Sequence, residues 1–324
     1  MRLDDSDPLD LALAAKGIGP KGLKPLGGDV IESVVVEMSC GQRDILSAVV
    51  MMGFRVLERD PVELEALMMA YQRMKSKIRA PLQFLFELGH RSASSAVEGW
   101  VQKLANREDL SSEECQGVVR YLLDPQGEGV FKAALLQGLR VKRETDLENA
   151  SLCSALMAQA RHWQWDGELL VDLSQPYDGM TRSEDLSLEL VALLSLINVP
   201  CVSHGVRGLG PKFGTSIVSR FSEKAELTID RAMEGLSAFG VAILDQSNHF
   251  PELHELLPLR NEMRKRPFLA TMEKMLMPIR ANRNILVTGY VHSAYRDSIP
   301  EMVRAVGDYE QLLLVKGREG STFL

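Results

Sequence analysis

The stretch from Glu168 to Thr215 constrains this chain more than any other. It reads as a short β-rich run, a polar loop, an apolar segment of helical period, a second β-rich run and a glycine-rich loop. Two neighbouring parallel strands need a crossover of about that length, usually a helix. The layout is that of a phosphate- or nucleotide-binding α/β domain. Its first loop, however, holds Ser174, Gln175, Pro176 and Tyr177. A phosphate cradle needs glycines there, because any side chain blocks close approach and proline has no N–H to offer. The fold signal is strong, and the chemistry signal is damaged.

The pattern continues to the end of the chain. Candidate strands cover 169–173, 200–204, 241–244, 285–289 and 311–315, with helical segments at 184–197, 215–224, 228–239, 251–263 and 297–306. Alternating strands and helices predict an α/β fold with a doubly wound, mostly parallel sheet. Ligands in such sheets bind beyond the carboxyl ends of the strands. The loops at 174–183, 205–214 and 245–250 open there. They carry Asp178, His204, Arg207, Lys212, Asp245 and His249. The chain stops just after the last strand, where a doubly wound domain usually carries one more helix. A C-terminally truncated domain, from a fragment, isoform or shortened homologue, is therefore expected.

The first half contains an internal repeat. GFRVLERDPVELEAL, from Gly53, is echoed by GLRVKRETDLENASL, from Gly138. Each copy reads as three helices, starting near Asp29 or Ser112, after Gly41 or Gly127, and near Asp60-Pro61 or Thr145. Short polar residues cap free N–H groups at such starts, and Pro61 suits a first helical turn. Apolar residues recur at helical spacing, as in Ile45, Val49 and Met52. Like units are expected to stack, within the chain or across a dimer. The expected domains are a helical unit over 1–100, a second helical domain over 101–166 and an α/β domain over 167–324.

A net charge of −7 and a pI near 5.5 exclude a chain that is basic throughout, although a local patch remains open. Cys40, Cys115, Cys153 and Cys201 form no C-x-x-C pair, so neither a metal site nor a disulfide framework is expected. The acidic N-terminus does not read as a targeting peptide. No apolar run approaches the ~18 residues that span a bilayer. A soluble, intracellular protein without a membrane partner is expected, cytoplasmic or in an organelle stroma if a transit peptide has been removed.

With these motifs in order, residues 104–315 resemble the anthranilate phosphoribosyltransferases (glycosyltransferase family 3). Arg140, Lys142, Glu144 and Thr145 stand in the family's Arg-x-Lys-Gly-Glu-Thr stretch. VDLSQPYDG is similar to its Asp-x-x-Gly-Thr-Gly-Gly-Asp-Gly loop, keeping only Asp172, Asp178 and Gly179. PCVSHGVRG resembles Val-Ala-Lys-His-Gly-Asn-Arg: His204, Gly205 and Arg207 match, while Ser203 replaces the Lys and Val206 the Asn. GPKFGTS keeps Lys212, Gly214 and Thr215 in kind from Ser-Ser-Lys-Ser-Gly-Ser. Pro258, Arg260, Glu262, Arg266 and Pro278 match a later segment. In VKGREGST, Gly317 and Gly320 remain, but Ser321 and Thr322 stand for the family's Asp-Glu pair.

The resemblance implies a helical domain, an α/β domain of the phosphoribosyltransferase type and a homodimer formed through the helical domain. It also implies phosphoribosyl transfer from phosphoribosyl pyrophosphate to an aromatic amine with Mg²⁺, the tryptophan-biosynthesis chemistry. The lost glycines, lysine and Asp-Glu pair point to altered or lost activity. Mg²⁺ is then implied only if transfer is retained, with Asp178 and Asp245 or Glu319 as substitute carboxylates. Candidate ligand residues are Asp178, Gly179, His204, Gly205, Arg207, Lys212, Gly214 and Thr215. Asp178 and Asp185 read as ribose or metal contacts or, alternatively, as helix caps. The segment 260–283 holds seven basic residues, among them Arg260, Arg264, Lys265 and Arg266, against two acidic ones. It reads either as a solvated helix face or as a phosphate-binding surface. Divergent relatives with a Tyr-Asn-Gly-like sequence at Tyr177-Asp178-Gly179 are associated with nucleic-acid binding without transfer. A non-enzymatic nucleic-acid- or nucleotide-binding protein is therefore the alternative to a transferase.

Overall fold

A computed structural model describes residues 6–16, 24–57, 60–177, 179–207, 214–222 and 225–323. The chain divides into two compact units. One comprises Met1–Thr145 with Pro258–Pro267, the other Asp146–Leu257 with Phe268–Leu324.

The first unit is helical, and the repeat is visible in it. The first copy forms helices Gly28–Ser39, Asp44–Val56 and Pro61–Met74; the second forms Ser112–Leu123, Gly129–Lys142 and Asp146–Met157. Local chemistry sets the starts. The Asp60 carboxylate accepts the N–H of Val62 at 2.9 Å, with Pro61 opening the helix. Ser111 and Glu114 form a reciprocal capping box. The middle helices of the two copies pack on each other, as stacking within the chain predicts. Gly138 permits the approach, because a Cβ there would press on Met52 and Leu104. The third helix of the second copy, Asp146–Met157, groups with the α/β unit because it packs on helix Ala294–Val306.

The second unit contains strands β1 (Trp163–Gln164), β2 (Leu169–Ser174), β3 (Cys201–Gly205), β4 (Val241–Asp245), β5 (Ile279–Arg280), β6 (Arg283–Tyr290) and β7 (Gln311–Lys316). The main sheet runs β4-β3-β2-β6-β7, and every pair is parallel. β1 and β5 form a separate parallel pair. The five predicted strands are thus present within one or two residues at their ends. Side chains alternate between the two sheet faces. One face buries Leu170, Val202, Ala242 and Leu244; the other buries Val171, Leu173, Cys201 and Ile217.

Two predicted helices take other forms. Among its described residues, the segment expected to be helical over 215–224 makes only the 3₁₀ turn Val218–Arg220. Ser216 and Ser219 bond each other's backbone, and Ser219 Oγ donates to Ser216 O at 2.7 Å. Such local bonds compete with an α-helical ladder. The expected helix over 251–263 is two short ones, Pro251–His254 and Leu257–Met263. Among the described residues, no helix is long and apolar enough to cross a membrane.

Candidate functional site

The carboxyl ends of β2, β3, β4 and β6 carry polar side chains where a ligand crevice is expected. Register places Asp172, Ser174 and Thr288 on one face of the sheet; His204 follows Val202 there. All four are buried.

His204 and Asp172 belong to a hydrogen-bonded chain. Tyr177, from the loop after β2, is 1% exposed, and its hydroxyl is hydrogen-bonded to His204 Nδ1. His204 Nε2 meets Asp172 Oδ1 at 3.0 Å. Tyr309, just before β7, donates to Asp172 Oδ2 at 2.7 Å. Tyr309 is partly exposed as a residue, but its hydroxyl is enclosed. Burial and then the neighbouring Asp172 charge push its phenol well above 10. His249 sits edge-on to His204 at 5.7 Å between ring centroids. Burial, then the other histidines, hold its imidazole well below 6.5, so it is neutral at physiological pH.

The departures from the family motifs are absorbed by the chain itself. Gln175 Nε2 donates to Thr322 Oγ1 at 2.6 Å, and Thr322 N donates to Gln175 Oε1 at 3.1 Å. Ser203 Oγ donates to Leu173 O at 2.9 Å, and Val206 is buried. Glu319 accepts from the loop that follows Gly179, through Thr181, Arg182 and Ser183.

Of the candidate ligand residues, Asp178 and Lys212 lie outside the described residues. Gly179 and Gly214 serve a backbone closure. Met180 and Thr215 exchange both N–H···O bonds at 2.9 Å, and Gly214 passes so close to Met180 that a Cβ would clash with its backbone. Gly179 adopts φ +70, which glycine takes without strain. Gly205 ends β3. Arg207 donates to Phe221 O at 2.7 Å and lies 3.7 Å from Asp245. Asp185 accepts the N–H of Ser187 at 2.9 Å at the start of helix Ser187–Leu196, a capping role. Asp245 likewise accepts Ser247 N at 3.0 Å.

Mg²⁺ takes an octahedral oxygen set, usually carboxylates plus substrate phosphates. Both Asp172 oxygens are engaged, Asp245 and Asp185 cap helices, and Glu319 faces N–H donors. Among the described residues, no group of three or more His, Cys, Asp or Glu could hold a metal. Among the described residues, this donor set does not fit Mg²⁺.

The basic segment is not the exposed stripe the sequence suggested. Arg260 is fully buried in the helical unit, and Arg264 ion-pairs with buried Asp10. Lys265 is half-buried, with its pKa lowered by burial and then by Arg140; Arg266 is also partly buried. Lys274 is buried, Arg280 pairs with Asp308, and Arg283 pairs with Glu310 at 2.7 Å. The charge has been turned inward or neutralised. Tyr177, Tyr309 and Lys274 gave no sign in the sequence of their place here. Tyr309 is a lone aromatic ahead of a strand, and Tyr177 read as a missing glycine and as part of the Tyr-Asn-Gly-like match.

No protein-family model matches the chain. It is 30% identical over 215 residues to an uncharacterized protein of Aquifex aeolicus, covering 66% of this chain and 65% of that one. It is 26% identical over 221 residues to the anthranilate phosphoribosyltransferase of Aeropyrum pernix, covering 68% and 63%. The matches thus span just under two thirds of these relatives' own lengths. Among solved structures, the anthranilate phosphoribosyltransferase of Thermus thermophilus aligns with a TM-score of 0.57 at 21% identity, over 69% of this chain and 67% of that one. The Saccharomyces cerevisiae enzyme, in complex with PRPP and Mg, aligns at 0.57 and 14% identity, over 70% and 67%. At these identities the structural likeness is one of fold.

Proposed function

We propose that this chain, a divergent member of the anthranilate phosphoribosyltransferase-like proteins, has a transfer site that has become a closed polar core. Transfer from phosphoribosyl pyrophosphate is then altered or lost. The observation that carries this reading is the buried Tyr177–His204 hydrogen bond. Phosphoribosyl transfer needs an open crevice in which backbone N–H groups and cations meet a highly charged donor. Here a phenol ring fills the crevice from the loop that would have to cradle the pyrophosphate. Pro176 removes one of that loop's donors. The histidine that the motif would present to substrate is 1% exposed and committed at both nitrogens. The reading is further supported by the motif departures at Gln175, Ser203 and Thr322, which satisfy each other or the backbone.

The test is a thermal-shift titration of the full chain with phosphoribosyl pyrophosphate, with and without Mg²⁺, followed by an anthranilate-consumption assay. A ligand at 100 times its dissociation constant stabilises a fold by about 2.7 kcal/mol, an easily read shift. The expected result is no Mg²⁺-dependent rise in melting temperature and no loss of anthranilate fluorescence. A Mg²⁺-dependent rise with turnover would overturn the proposal and restore an ordinary transferase.

A further inference from the structure

Glu319 is held in a left-handed backbone conformation, φ 51 and ψ 19, which a glutamate rarely adopts. The surrounding structure fixes it there. The buried Lys274 ammonium donates to Gly320 O at 2.7 Å and to Gly289 O at 2.8 Å, tying the segment to the end of β6. Gly289 has no room for a Cβ, because the backbone of Ser321 lies against it. Held this way, the Glu319 carboxylate reaches residues 181–183. Oε1 accepts from Thr181 N and Thr181 Oγ1, both at 3.1 Å. Oε2 accepts from Arg182 N at 2.8 Å and Ser183 N at 3.0 Å.

Three successive backbone N–H groups and a hydroxyl thus converge on one carboxylate. Convergent main-chain donors of this kind make an anion-binding concavity, the same device that holds phosphates in other proteins. We propose that loop 181–183 is an oxyanion site that the chain keeps filled with its own Glu319, so that a phosphate-bearing ligand binds only when that carboxylate is displaced. The donors match a tetrahedral oxyanion as well as they match a carboxylate: three N–H groups and one O–H, none of them negatively charged. Thr181 and Arg182 are exposed, so a ligand has access once Glu319 leaves. The proposal stands on this loop and not on the Tyr177 crevice, so either can fail alone.

Glu319→Gly separates the two components, since glycine accepts the left-handed conformation and carries no carboxylate. Inorganic phosphate is titrated into the full-length wild type and E319G by calorimetry at constant ionic strength, with chloride as control. The variant is expected to bind phosphate at least about tenfold more tightly than wild type, and E319Q to fall between them. A folded E319G that binds phosphate no better than wild type overturns the site. Amide NMR of the wild type gives a second reading that needs no variant. The Thr181, Arg182 and Ser183 resonances are expected to move together as Glu319 is protonated. Resonances that ignore that titration would show that the carboxylate does not occupy the loop.

Discussion

Gln175 and Thr322 are hydrogen-bonded to each other twice, side chain to side chain at 2.6 Å and backbone N–H to side-chain carbonyl at 3.1 Å. These are two of the places where the chain departs from the family it resembles. One sits in the loop that lost its glycines, the other at the position of a lost carboxylate. Their partnership means that the departures are complementary. A carboxylate restored at Thr322 would meet the Gln175 amide N–H that the threonine hydroxyl now accepts, rather than stand free for a ligand.

Removing the Tyr177 hydroxyl tests the closed core directly. Tyr177→Phe leaves His204 Nδ1 buried without its partner, which costs about 1–3 kcal/mol. Urea unfolding should show a lower midpoint with an unchanged slope. A variant as stable as wild type would mean that the hydroxyl contributes nothing there.

The Tyr309 phenol should titrate far above an ordinary tyrosine, because burial and then the Asp172 charge disfavour phenolate. Asp172→Asn removes the second cause and leaves the first. Ultraviolet titration should therefore find the phenol lower than in wild type, yet still above 10. An unchanged value would mean that burial alone raises the phenol.

Glu319 contributes stability that depends on pH. Partial burial alone would raise its pKa, but hydrogen bonds from Arg182, Thr181 and Ser183 outweigh burial and lower it below its usual 4.5. A group whose folded pKa is depressed stabilises the fold above its unfolded value and loses that contribution as pH falls through the folded value. The melting temperature of wild type should therefore fall more steeply below pH 4.5 than that of E319G. Parallel curves would remove the carboxylate from the account.

Arg264 should behave as an internal ion-pair partner. Arg264→Ala weakens the compensation of buried Asp10 and should cost about 1–3 kcal/mol, less than a fully buried pair because Arg264 is partly exposed. Oligonucleotide binding in a gel-shift assay should not depend on this residue. A stable variant with weakened, salt-sensitive oligonucleotide binding would instead make the segment a nucleic-acid surface.

The sheet was legible because its strands alternate with helices at parallel-sheet spacing, and β2, β3, β4, β6 and β7 begin and end near their β-rich runs. The helix starts at Asp60-Pro61 and near Ser112 were legible because capping is local chemistry, although the second cap is Ser111. The state of the site was not. Gly179 and Gly214 look like ligand glycines in sequence, yet here they let two backbones approach, a fact that depends on where Met180 lies. The basic run from Arg260 gave no hint that Asp10, some 250 positions away, would meet it. Burial and pairing over such separations are properties of the folded chain, whereas charge counts belong to the sequence.

The stacking of the two middle helices has a consequence for where this protein can be cut. Met52 presses against Gly138, so the apolar flank of the second copy is roofed by the first. The extra N-terminal copy is therefore no detachable preface. A shortened chain beginning at the second copy would bare a greasy helix face to water and invite self-association.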